Sequence, residues 1–168
     1  MELKLPERKK HRLTNHDYSS KGAYFITICS AERRNIFWSE DSFDFVGEDI
    51  ILPPVERRLS SVGVVVDNAI KQIPEKYLSV AVLQYVIMPN HVHLVIQLDP
   101  LDADRRYVMQ IIGQMKRYVS KTVGCSVWQK SFYDRVIRNY DEYLEISKYI
   151  QNNPKNWKLD ELYRASFE

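Results

Sequence analysis

Two hydrophobic periods alternate along this chain, and together they predict its elements. The run Ala23-Tyr-Phe-Ile-Thr-Ile-Cys29 is β-branched and aromatic and has the length of a buried strand. What precedes it is polar and basic, contains Pro6 and has no periodicity, so residues 1–22 are expected to form a basic N-terminal arm and residues 23–168 a single domain. A second short strand is expected at Asn35–Trp38, followed by a loop through Pro53-Pro54. Val62, Val65, Val66, Ala69, Ile70 and Ile73 then recur at helical spacing, with Ser60 or Ser61 as the cap and Pro74 as the stop.

Val80–Met88 and His91–Leu98 read as two strands joined at Pro89-Asn90, a tight antiparallel hairpin. From about Arg105 to Val123, Val108, Ile111, Ile112, Met115, Val119 and Val123 share one stripe, which predicts a second helix. A loop and short strand are expected over Val127–Arg138. A third helix, capped by Asn139 or Asp141, must end before Pro154, because proline disfavours the helical conformation in the residue that precedes it. On this helix Tyr140, Tyr143, Leu144, Ser147 and Ile150 form the expected core stripe, which puts Tyr149 nearly opposite. The order predicts an α+β fold: a ferredoxin-like (RRM-like) antiparallel sheet with helices packed on one face of it and His91–Leu98 as an inner strand.

At 168 residues, 45% hydrophobic and 27% charged, the composition is that of a soluble globular domain and excludes disordered and fibrous classes. No apolar run reaches the roughly 20 residues that span a bilayer, and MELKLPERKKHR lacks a signal peptide's apolar segment. A cytoplasmic protein without a membrane partner is expected. Cys29 and Cys125 are far apart and outside any C-x-x-C pattern, so both read as small core residues. Net charge is only +2, but the signs are segregated. Residues 1–34 carry eight Lys/Arg against four acids, residues 101–140 eight against three, and residues 35–80 four against eight. Basic segments interleaved with tyrosines suit a phosphate backbone with stacked bases, although a solvated mixed-charge surface gives the same counts.

The hairpin strand places His91 and His93 on one side and Val92, Leu94 and Ile96 on the other. Two imidazoles so placed offer neutral nitrogen ligands to a divalent cation, while two histidines on a solvated strand face also occur without one. Tyr149 and Asn153, four apart, share a helix face with Glu142, Glu145 and Ile146. A phenol can be a covalent nucleophile and an amide oxygen can face a cation, against the plainer reading of a rim tyrosine and a helix-terminal asparagine.

The run Tyr85-Val-Ile-Met-Pro-Asn-His91-Val-His93-Leu-Val-Ile resembles the signature of the HUH single-tyrosine transposases, in particular the REP-associated tyrosine transposases and their relatives. Asp17-Tyr18-Ser19, Gly22–Cys29, Trp128-Gln129 through Asn139 and Tyr149-Ile-Gln-Asn-Asn153-Pro154 follow in the family's order. The resemblance implies His91 and His93 as the metal pair, Asn153 as third ligand and Tyr149 as nucleophile; neither Tyr140 nor Tyr143 has an Asn one turn later. It further implies a metal-dependent single-stranded DNA endonuclease and strand transferase that acts on hairpin-bearing DNA through a 5′-phosphotyrosine. Mg²⁺ or Mn²⁺ suits such a phosphate-bound site. A domesticated hairpin-binding protein without transposition activity is the alternative. Both a monomer and a homodimer are open, the latter with Tyr149 of one chain serving the histidines of the other. Arg8, Lys9, Lys10 and Arg12 of the arm, Lys116, Arg117 and Lys121 of the second helix, and Arg135 and Arg138 are the candidate DNA contacts, with His11 and His16 nearer to DNA or solvent than to metal.

Overall fold

A computed structural model describes residues 22–45, 58–98 and 108–165. Four strands, β1 (Gly22–Cys29), β2 (Val80–Ile87), β3 (His91–Leu98) and β4 (Tyr133–Ile137), form one sheet in the order β2-β3-β1-β4. Every pairing is antiparallel, with β3 against both β2 and β1 and β4 on the other edge of β1. The helices are α1 (Ser61–Lys71), the one-turn α2 (Ile73–Lys76), α3 (Val108–Val123) and α4 (Tyr140–Asn152). This is the expected ferredoxin-like α+β arrangement, with β3 inside the sheet.

The strands bury both faces, and their two alternating side-chain sets have different partners. Tyr24, Ile26 and Ile28 of β1 and Val92, Leu94 and Ile96 of β3 join Val66, Ala69 and Ile70 of α1 and Ile111, Ile112 and Met115 of α3 in the larger core. Phe25 and Val95 face the other way and meet Ile137 of β4 and Ile146 and Ile150 of α4. The helices therefore cover both faces, not one. The apolar-alternating strands conceal this, because a partly polar second face still needs a cover when a helix carrying Ile146 and Ile150 is available.

Local signals explain most boundaries. Ser60 caps α1, its Oγ accepting from Gly63 N at 3.1 Å and donating to Ile36 O at 2.6 Å. Gly63 is required there, because a Cβ would lie 2.1 Å from the Phe37 carbonyl oxygen. Pro74 does not simply stop the helix: α1 ends at Lys71, and proline sits in the first turn of α2, where its missing N–H costs nothing. Asn139 caps α4 by accepting from Glu142 N at 2.9 Å, and Glu142 Oε2 in return accepts from Arg138 N at 2.7 Å.

Some expectations fail. Asn35–Trp38 is not a strand; Trp38 makes a single bridge to Leu59, and the segment is tied to the hairpin by Phe37 N to Pro89 O at 2.9 Å and Trp38 Nε1 to Ile87 O at 2.7 Å. Its aromatic side chains serve the core, which gave it strand-like hydropathy. Cys125 is exposed just beyond α3, after Gly124 in the left-handed conformation (φ 84°), and is no core residue. Cys29 is half-buried at the end of β1. The arm and the start of the second helix at Arg105–Tyr107 lie outside the described residues.

Candidate active site

On α4 the buried side is Ile146, Ile150 and Asn153, flanked by half-buried Tyr143 and Tyr149, whereas Tyr140 and Leu144 of the expected core stripe are exposed. Tyr149 thus faces the sheet instead of pointing away. The apolar stripe misled because the sheet face beneath α4 is itself partly polar, so that polar α4 residues have buried partners there. Phe25, His93 and Tyr149 pack ring against ring, with centroids 5.3 Å apart for Phe25–His93 and 5.2 Å for His93–Tyr149. The Tyr149 hydroxyl lies 3.3 Å from His93 Nε2.

His91 and His93 are fully buried, not solvated, and their Nε2 atoms lie 3.0 Å apart. Each ring is fixed through its other nitrogen. Asn90 Nδ2 donates to Arg33 O at 3.2 Å and Leu162 O at 2.8 Å, which turns Asn90 Oδ1 toward His91 Nδ1 at 2.8 Å. An amide oxygen only accepts, so neutral His91 carries its proton on Nδ1 and leaves Nε2 bare. His93 Nδ1 meets the Thr27 hydroxyl at 2.8 Å, a group that either donates or accepts. With Thr27 donating, His93 Nε2–H points at the bare His91 Nε2; with Thr27 accepting, both Nε2 atoms are free for a cation.

Three residues absent from the sequence reading complete the surroundings. Trp157, in a short 3-10 turn after α4, packs on the His91 ring with centroids 5.9 Å apart. Asp160 follows it; its Oδ1 accepts from Leu162 N at 2.7 Å, and its Oδ2 lies 3.9 Å from His91 Nε2. The ligand atoms of His91, His93 and Asp160 all fall within 4.8 Å of one another. Arg33 sits near His91, and both it and Glu32 hold φ of 56° without being glycine, a local strain of the kind found beside functional sites.

The electrostatics suit metal ligation. Burial, reinforced by His93 and Arg33, holds His91 well below the usual imidazole range, and burial pushes His93 down to about 3. Both rings are neutral at physiological pH, as ligands must be. Burial and then the Asp160 charge push the Tyr149 phenol up, against a hydrogen bond from Asn153. Burial also raises the Asp160 carboxyl, while Leu162 N and the Asn153 side chain pull it back. The Asn153 side chain lowers the pKa of both groups, and its buried Oδ1 has no hydrogen-bond partner. The bare His91 nitrogen, the His93 nitrogen that is bare when Thr27 accepts, a carboxylate and an orphaned amide oxygen are a donor set that fits a divalent cation.

Among the described residues the candidate DNA contacts fall on separate elements. Lys116 and the exposed Arg117 and Lys121 belong to α3, on the larger-core side of the sheet. The Lys116 ammonium donates to Gln129 O at 2.7 Å and Lys130 O at 3.1 Å, and burial lowers its pKa, so it clips the loop before β4. Arg135 pairs with Glu142 of α4, and Arg138 is exposed at the end of β4. Arg8, Lys9, Lys10 and Arg12, with His11 and His16, lie outside the described residues. Among the described residues no helix is long and apolar enough to cross a membrane.

The chain is 31% identical to an uncharacterised protein of Haemophilus influenzae (strain ATCC 51907) over 95% of its own length and 94% of the other's. Its fold matches that of a REP-associated tyrosine transposase bound to a REP hairpin with a TM-score of 0.57 and 20% identity, over 83% of this chain and 70% of that one. The family model of IS200-like transposases matches residues 18–153, a span that begins before β1 and ends at Asn153, taking in the paired histidines and the helix that carries Tyr149. The chain belongs to the IS200-like transposase family.

Proposed function

We propose that this protein is a metal-dependent nuclease and strand transferase for single-stranded, hairpin-bearing DNA, with Tyr149 as its nucleophile and His91, His93 and Asn153 as metal ligands. The observation that carries the reading is the Tyr149 hydroxyl 3.3 Å from His93 Nε2: a helix late in the chain delivers a phenol to a histidine pair whose two Nε2 atoms converge.

A bound Mg²⁺ or Mn²⁺ would polarise a non-bridging phosphate oxygen and favour the phenolate. The remaining work falls to the chain. Tyr149 packs against Phe25 and His93, which orients its ring toward the histidine pair. In the step proposed, the Tyr149 oxygen forms a bond to phosphorus as the bond to the 3′-oxygen breaks. The phenolic proton is lost, and the leaving oxygen takes up a proton to become a 3′-hydroxyl. The phosphotyrosine retains the energy of the broken bond, so attack by another 3′-hydroxyl reverses the chemistry on a new end. Burial raises the phenol pKa further, so a bound cation would have to offset that cost for the phenolate to form.

The test is incubation with a library of hairpin-bearing single-stranded oligonucleotides in Mg²⁺ or Mn²⁺, followed by denaturing electrophoresis. The expected result is a covalent adduct mapped to Tyr149 and abolished by chelator. An adduct that persists in excess chelator refutes the metal dependence, and hairpin binding with no adduct assigns the domesticated binding role instead. Mixing Tyr149→Phe with His91→Ala chains distinguishes a site shared in a homodimer, which recovers cleavage, from one confined to each chain.

A further inference from the structure

We propose that Asp160 is a further ligand of the divalent cation, binding through Oδ2 beside His91, His93 and Asn153. The inference rests on the reading of the histidine pair as a metal site and adds a residue to it, one that lies seven positions beyond the end of the segment matched by the family model.

The Asp160 side chain is only 4% exposed, and among the described residues the one basic side chain in ion-pair range is His91, whose Nε2 lies 3.9 Å from Oδ2. At 3.9 Å from a bare imidazole nitrogen, Oδ2 is too distant to accept a hydrogen bond. A carboxylate so buried is costly unless a positive charge reaches it. The division of labour between its two oxygens is the second observation. Oδ1 is committed to Leu162 N at 2.7 Å, which fixes the carboxylate plane and leaves Oδ2 toward the histidine nitrogens.

The third observation is the scaffold. Trp157 packs against the His91 ring, and the Leu162 carbonyl accepts from the Asn90 amide that orients His91 Nδ1. Residues 157–162 are thus joined to the histidines at both ends of the segment, with Asp160 between. Buried Asn153 at the end of α4 holds an unpartnered Oδ1. One ion with bonds of about 2.1 Å reaches donors up to about 4.2 Å apart. The separation of Oδ2 from His91 Nε2 falls within that span, and the widest separation in the trio, at most 4.8 Å, closes with a side-chain shift of under about 1 Å. Adding a carboxylate to two imidazoles also shifts the preference toward hard oxygen-seeking ions, those that bind phosphate oxygens.

The experiment is Mn²⁺ binding to the full chain, followed by the loss of the free-ion paramagnetic resonance signal, for wild type, Asp160→Asn and His91→Ala. Asp160→Asn keeps an acceptor for Leu162 N and so preserves the turn. The expected result is one Mn²⁺ per wild-type chain, an affinity at least about tenfold lower in Asp160→Asn, and no binding in His91→Ala. A second measurement needs no variant: the aspartate carboxylate stretch of wild-type protein carrying ¹³C-labelled aspartate should shift when Mn²⁺ is added. Asp160→Asn affinity within twofold of wild type, or an unshifted stretch, overturns the assignment of Asp160 alone. Absence of Mn²⁺ binding by wild type overturns this assignment together with the metal site it extends.

Discussion

The two faces of the sheet solve opposite problems with the same strands. Under α1 and α3, β1 and β3 present Tyr24, Ile26, Ile28, Val92, Leu94 and Ile96, and the face is held by apolar burial. Under α4 the alternate positions of those strands include Thr27, His91 and His93, and this face is just as dry, the three residues being 7%, 0% and 0% exposed. Buried polar groups cost free energy unless each is partnered, so this second face is held by wiring: Thr27 to His93, Asn90 to His91, Leu162 to both Asn90 and Asp160. Apolar burial holds the first face and the proposed chemistry lies on the second, and a period of two residues in β3 separates them.

Four measurements would break or sharpen that division. The largest effect is expected from Tyr149→Phe, which removes one oxygen from the second face: adduct formation on oligonucleotides should vanish, with the thermal midpoint nearly unchanged. A large loss of stability would mean that the phenol also holds the fold. On the first face, Ile111→Ala should cost about 2–5 kcal/mol in denaturant unfolding, since Ile111 is fully buried in the larger core. Any DNA cleaved should scale with the folded fraction alone.

Acid should strike the second face. Both histidines have lowered pKa values when folded, so below the ordinary imidazole value the unfolded chain binds protons that the native chain refuses. Stability of metal-free protein should therefore fall as pH drops below about 6.5, by up to about 1.4 kcal/mol per pH unit for each histidine. Replacing both histidines with asparagine should flatten that slope. The smallest effect concerns charge: Arg117→Ala and Lys121→Ala should each reduce the salt dependence of hairpin DNA binding by about one counterion, whereas Lys116→Met, whose ammonium is held by two carbonyls, should leave the slope nearly unchanged and weaken the fold instead.

This division also explains what could be read in the sequence. Ser60 and Asn139 cap helices because capping is a local interaction between a side chain and an amide three residues on, and His91 and His93 share a face because strand alternation is local too. Which way α4 turns is not local. Its tyrosines and Leu144 outweigh Asn153 in hydropathy, yet Tyr140 and Leu144 lie outside, because the surface α4 covers offers hydrogen-bond partners that a periodicity count does not include. Thr27 did leave a signal, as the one aliphatic hydroxyl in an otherwise largely apolar strand and the cross-strand partner of His93. Asp160 left none: it is one acid among the chain's 22 Asp and Glu, and only the fold carries it to the histidines.

The Thr27 hydroxyl sets the proton inventory of the site. Histidine sites that are charged when empty must shed protons to take up a metal, and their affinity then falls steeply as acidity rises. Here both buried rings are neutral, and where Thr27 donates, His93 need only exchange its Nε2–H tautomer for the Nδ1–H one as Thr27 turns from donor to acceptor. If the proposed site takes a metal, loading would release no net protons from the imidazoles, and filling and emptying would become questions of ion concentration, largely independent of pH across the neutral range.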